Sequence, residues 1–142
     1  MEAFGKPDCF VSVGFHDILV PSVTLDVYLE NIEWYLRLLQ PHCSQIIWIS
    51  MTAPRSNHYL QTKAKTLTWN EGARQSLAKR FSGNSNKDNS YNHKPIAFVD
   101  VYHASNGFPS RDNIHMSPEW YEALGNFLGD IMDACRPNAA TQ

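Results

Sequence analysis

Asp112-Asn-Ile-His115 places a carboxylate and an imidazole three residues apart, just ahead of Ser117-Pro118-Glu119. A carboxylate at that spacing can accept from one ring nitrogen, fix the histidine tautomer and leave the other nitrogen as a general base. The same aspartate has a plain structural use, because Asp ahead of a helix often caps it. Gly14, His16 and Asp17 form a second cluster behind an apolar run, and His103 lies between this cluster and the Asp112–His115 pair. Gly14 equally fits a positive-φ turn, and His16 and Asp17 can simply satisfy backbone groups there. Arg55 and His58 follow another apolar run, where they could meet a substrate oxygen or serve only in a solvated loop. His16, Asp17, His103, Asp112 and His115 are also zinc or iron ligand types, but no H-E-x-x-H or comparable spacing joins them.

The elements that must position these residues alternate in type. Cys9-Phe-Val-Ser-Val13 reads as a buried strand between Pro7-Asp8 and Gly14. Leu25, Leu29, Ile32, Leu36 and Leu39 recur at steps of four and three, predicting a helix that Thr24 caps and Pro41 ends. Trp34 and Tyr35 beside that stripe read as core or interface aromatics. Ile46-Ile-Trp-Ile49 is a second strand, Leu67 to Phe81 a second helix with Ala73, Leu77 and Phe81 inward, and Ile96 to Val101 a third strand. A polar loop covers 82–94. The last helix opens at Ser117-Pro118-Glu119, with Leu124, Phe127, Leu128 and Ile131 as its inner stripe. Strand–helix alternation with apolar strands predicts a three-layer α/β/α sandwich with a parallel sheet covered on both faces. In such sheets ligands bind beyond the carboxyl ends of the strands, which is where all three polar clusters fall.

Composition narrows the function classes. The chain has 142 residues, 43% of them hydrophobic and 12% aromatic, enough for one domain with a real core. Twelve Lys+Arg against fourteen Asp+Glu leave a net charge of -2, which argues against nucleic acid or a membrane surface as partner. No apolar run approaches the roughly 20 residues of a bilayer span. Met1 to Asp8 lacks the charged-then-apolar layout of a signal peptide, no Asn-x-Ser/Thr acceptor occurs, and the compartment stays open. Cys9, Cys43 and Cys135 are an odd set without C-x-x-C spacing, so a disulfide framework is not expected and Cys9 reads as a buried thiol.

The ordered set of motifs resembles the SGNH (GDSL-type) hydrolases. Ser-Val-Gly14-Phe-His16-Asp17 is similar to their third block, and Asp112-Asn-Ile-His115-Met-Ser-Pro-Glu-Trp-Tyr121 to their last. Tyr28-Leu-Glu-Asn-Ile, the strand before Pro54, and Trp69-Asn70 fit the middle in order. His16 in place of the usual Asn, with Asp100 closing a strand, resembles the PC-esterase branch. The likeness covers residues 8–134 as a single partial domain, with 135–142 as a tail. It implies a flavodoxin-like sheet and a carboxylic ester hydrolase or acyltransferase-type activity on acyl esters, including acylated glycans. It implies His115 as base, Asp112 as its orienting partner, and Gly14, His16 and Asp17 on the oxyanion and substrate side. No metal or organic cofactor is expected.

The family's nucleophile sits in a Gly-Asp-Ser block on its first strand, and no serine here follows Gly-Asp. Ser12 is the nearest hydroxyl by position, expected to pack within its strand. The expectation is therefore a domain whose N-terminal strands are missing, inactive alone, a fragment or a pseudoenzyme. Cys9–Val13 would then expose an edge, and the competing reading is a non-catalytic α/β module that recruits a partner through it.

Overall fold

The structure, a computed structural model, describes residues 5–55, 60–79, 96–112 and 115–135. The polar loop at 82–94, Phe81, His58 and the tail after Cys135 lie outside the described residues. The described elements are β1 (Cys9–Val11), a 3-10 turn (Asp17–Leu19), α1 (Leu25–Leu39), β2 (Ile46–Ile49), α2 (Leu60–Lys79), β3 (Ile96–Val99), the short α3 (Tyr102–Ser105) and α4 (Pro118–Cys135). The strands form one parallel sheet in the order β1-β2-β3, with Cys9 opposite Ile46 and Ile46 opposite Ile96.

Side-chain alternation along the strands sorts the core into two layers. Val11, Ile46, Trp48 and Ile96 join Tyr28, Ile32 and Leu36 of α1 and Trp69, Ala73 and Leu77 of α2 on one face. Ile49 joins Trp120 and Leu128 of α4 on the other, with Val99 and Leu124 packed against them. The expected three-layer α/β/α arrangement is present. α1 runs over its expected length, and the Thr24 hydroxyl caps it by accepting from the Val27 amide at 3.3 Å.

Several expectations are corrected. Cys9 is not a free thiol: it forms a disulfide with Cys43 across 34 residues of sequence. Odd count and spacing could not reveal this, because the pairing depends on register. Cys43 lies just ahead of β2, and Cys9 pairs there with Ile46. Among the described residues the cover of the sheet is incomplete at β1, where Phe10 is 43% exposed. β1 ends at Val11, so Ser12 lies in the strand exit and is exposed, not packed. β3 is likewise shorter than expected, the chain turning into α3 at Tyr102. α2 begins at Leu60 and leaves Leu67 exposed, because Leu60-Gln-Thr-Lys-Ala-Lys carries no apolar stripe to announce it. Phe127 of α4 faces outward, and so does Trp34 of α1, which is 63% exposed and not a core residue.

Candidate functional site

All three strand exits open on one side of the sheet, as the parallel topology requires. A cleft of about 550 Å³ lies there, lined by Ser12, Gly14, Phe15, His16 and Asp17 from the β1 exit and by Ser50, Met51 and Thr52 from the β2 exit. Val101 from the β3 exit, His115 and, on α4, Trp120, Tyr121 and Leu124 also line it.

The β1 exit turns sharply. Gly14 has φ +109°, and a Cβ built on it would stand 2.4 Å from Cε2 of Tyr28. The position thus requires glycine for its backbone and for the ring beneath it. Tyr28 donates from its hydroxyl to the Val13 carbonyl at 3.3 Å and stacks on Trp69 at 4.6 Å. Burial, with the charge of Asp17 adding to it, pushes the Tyr28 phenol well above its ordinary range. Lys65 reaches over the Trp69 ring and donates to the Ile18 carbonyl at 2.9 Å, which ties the turn to α2.

The β2 and β3 exits are joined by polar side chains, of which Ser50, Asn70 and Ser105 are buried. Asn70 accepts from the Met51 amide at 2.9 Å and donates to the Met51 carbonyl at 3.0 Å. Ser50 donates to Asp100 at 2.9 Å while its oxygen accepts from the Val101 amide, and Asp100 also accepts from the Tyr102 amide. The fully buried Ser105 accepts from the Ala53 amide at 3.0 Å and donates to the Tyr102 carbonyl at 2.7 Å. Arg55 donates to the Ser105 and Asn106 carbonyls at the end of α3. It ties this loop to α3 and does not line the cleft. No local pattern marks Ser50 or Ser105 in the sequence, since each answers backbone groups supplied by another segment.

The segment before α4 is closed by an antiparallel bridge between Ser110 and Met116, with the Arg111 amide donating to the His115 carbonyl at 2.8 Å. Within it Asp112 engages His115 twice. One carboxylate oxygen accepts from the His115 amide at 2.7 Å, and the other lies 2.6 Å from Nδ1. Nδ1–H donating to the carboxylate is the tautomer this geometry favours, leaving Nε2 as the basic nitrogen of a ring that lines the cleft. Both side chains are more than half exposed. His16 lies across the cleft with its ring centroid 6.4 Å from that of His115.

The structure therefore brings Gly14, His16, Asp17 and His115 to one cleft, with Asp112 behind His115. His103 packs edge-on against Tyr102 and does not line this cleft. Among the described residues, no three His, Cys, Asp or Glu side chains are grouped so that they could hold a metal ion.

No family model and no curated protein matches the sequence. Solved structures do match the fold. An acetylxylan esterase from Geobacillus stearothermophilus superimposes with a TM-score of 0.63 at 18% identity, over 89% of this chain and 60% of that one. A GDSL-like lipase from Bacteroides thetaiotaomicron gives 0.61 at 14% identity, over 89% of this chain and 62% of that one. The chain thus spans under two thirds of the length of either protein.

Proposed function

We propose, from the premise that this chain shares the fold of the SGNH/GDSL hydrolases, that its cleft is the acid–base part of a site for hydrolysis or transfer of carboxylic acyl esters. The observation that carries the reading is the two-point contact of Asp112 with His115, which orients a basic nitrogen at the rim of a cleft formed by the strand exits. In this mechanism Nε2 of His115 takes the proton of a hydroxyl as its oxygen attacks the acyl carbon. The carbonyl electrons move onto the oxygen of the tetrahedral intermediate. When the intermediate collapses, the bond from acyl carbon to alkoxy oxygen breaks and the imidazolium returns the proton to the departing alcohol. Asp112 stabilises the imidazolium in between. Gly14 and His16 stand on the side where the oxyanion would form, His16 as a side-chain donor.

The chain has no Gly-Asp-Ser block, so little or no turnover by these 142 residues alone belongs to the proposal, and Ser12 is the hydroxyl that the β1 exit offers to the cleft. Acylated glycans are the favoured substrate class, supported by the fold shared with an acetylxylan esterase. The test is cleavage of p-nitrophenyl acetate by the purified chain and by His115→Ala. Whatever turnover the chain has should fall by two orders of magnitude or more, roughly the loss expected when a general base is removed. Turnover unchanged in His115→Ala would remove the residue from the chemistry.

A further inference from the structure

Three carbonyls of the segment that leaves β1 are answered inside it. The Ile18 amide donates to Gly14 at 3.0 Å, the Leu19 amide to His16 at 3.1 Å and the Val20 amide to Asp17 at 3.0 Å. The Ile18 carbonyl is answered from α2 instead, by Nζ of Lys65 at 2.9 Å. These short-range bonds make residues 14–20 one unit, and His16 opens its 3-10 turn without capping it through the side chain. The place of the His16 ring at the cleft therefore follows the backbone of the turn.

Lys65 is itself held. Its ammonium stands 4.7 Å from the centre of the Trp69 ring, one helical turn further along α2. Trp69 stacks on Tyr28, whose ring lies against Gly14 and whose hydroxyl donates to Val13. The two ends of the segment are thus fixed to one stack, Val13 and Gly14 through Tyr28 and Ile18 through Lys65. The next residue of α2, Asn70, holds both backbone groups of Met51 at the β2 exit. Residues 65–70 of one helix therefore reach both walls of the cleft. Within that stretch Lys65 supplies the charged donor, which binds a carbonyl more strongly than a neutral one does.

We propose that Lys65 is a positioning residue: through the Ile18 carbonyl it sets where His16 stands across the cleft from His115, at 6.4 Å between ring centroids. The role rests on the reading of the cleft as an ester site, in which His16 is the side-chain donor to the oxyanion. Such a donor works only when it is already in place, about 2.7–3.1 Å from the oxygen that gains charge. A displacement of about 1 Å is enough to lose it. Without the ammonium, the far end of the turn is released while Tyr28 still holds its start. The segment then pivots at Gly14 and carries His16 with it.

Nuclear magnetic resonance of the full chain with labelled histidine tests this. Lys65→Met should move the imidazole signals of His16 and leave those of His115, which Asp112 holds, in place. Hydrogen exchange of the Ile18, Leu19 and Val20 amides should rise at least about tenfold, with residues 46–49 unchanged. Lys65→Arg keeps a charged donor and should restore both readings most of the way. Lys65→Gln keeps a neutral donor, should fall between the two, and carries the comparison if the methionine variant does not fold. His16 signals that stay in place in Lys65→Met or Lys65→Gln overturn the proposal. So does faster exchange spread equally over residues 46–49, since Lys65 would then support the fold as a whole, and so does Lys65→Arg without recovery of the His16 signals. None of these readings uses turnover: the ester reading fails on His115→Ala, this one on the position of His16.

Discussion

The inner wall of the cleft, where the chain leaves β2 and β3, is tied by side chains that satisfy buried backbone groups. Asn70 serves Met51, Ser50 and Asp100 serve each other and the start of α3, and Ser105 joins α3 to Ala53. The outer wall, where the chain leaves β1, is held differently. Among the described residues it is held by pairing with β2, a disulfide near the start of β1, and a glycine fitted over a tyrosine ring. Polar ties are numerous and individually modest, whereas steric fit and covalent links concentrate stability in a few atoms. The two walls should therefore fail in different ways.

The largest effect belongs to the outer wall. Gly14→Ala asks an L residue to adopt φ +109° and places its Cβ 2.4 Å from the Tyr28 ring. Backbone strain of about 1–3 kcal/mol and overpacking of similar size add to a loss of about 4 kcal/mol, read as a lower urea midpoint. A loss below about 1 kcal/mol would mean that Tyr28 yields easily and that the turn is not set by this contact.

Reducing the Cys9–Cys43 disulfide comes next. Its 34-residue separation places the stabilisation at about 3–4 kcal/mol by the chain-entropy estimate. Unfolding measured with and without reductant gives the number directly. Hydrogen exchange should locate the change in β1 and the Gly14–Asp17 turn while residues 46–53 keep their protection. Equal loss on both walls would erase the distinction drawn between them.

What could be read from sequence follows the same division between local and distant partners. The Asp112–His115 pair was legible because three residues of separation contain the whole interaction. The stripe of α1 and the four apolar residues of β2 were legible for the same reason, each repeating its signal within a few residues. The disulfide was not, because only strand register brings Cys43 beside Cys9. Arg55 looked like a solvated loop residue until α3 supplied two carbonyls for it. Trp34 shows a further limit. An aromatic beside an apolar helical stripe resembles core by composition, yet its angular position on α1 sets it outside.

The smallest effect, and the one that sharpens the comparison most, is Ser105→Ala. The hydroxyl is buried and works in both directions, accepting from the Ala53 amide at 3.0 Å and donating to the Tyr102 carbonyl at 2.7 Å. The methyl group leaves the Ala53 amide without that acceptor and creates only a small void, so the cost is the desolvation of an unmatched donor, about 1–3 kcal/mol. Tyr102 loses one donor at a carbonyl near the start of a short helix, which adds less. Exchange of the Ala53 amide should rise while β1 protection stays unchanged, the reverse of the pattern expected on reduction. A normal urea midpoint with unaltered exchange at Ala53 would show that the β2 exit is held without this hydroxyl, leaving Asn70 and Ser50 as the ties that keep the inner wall in place.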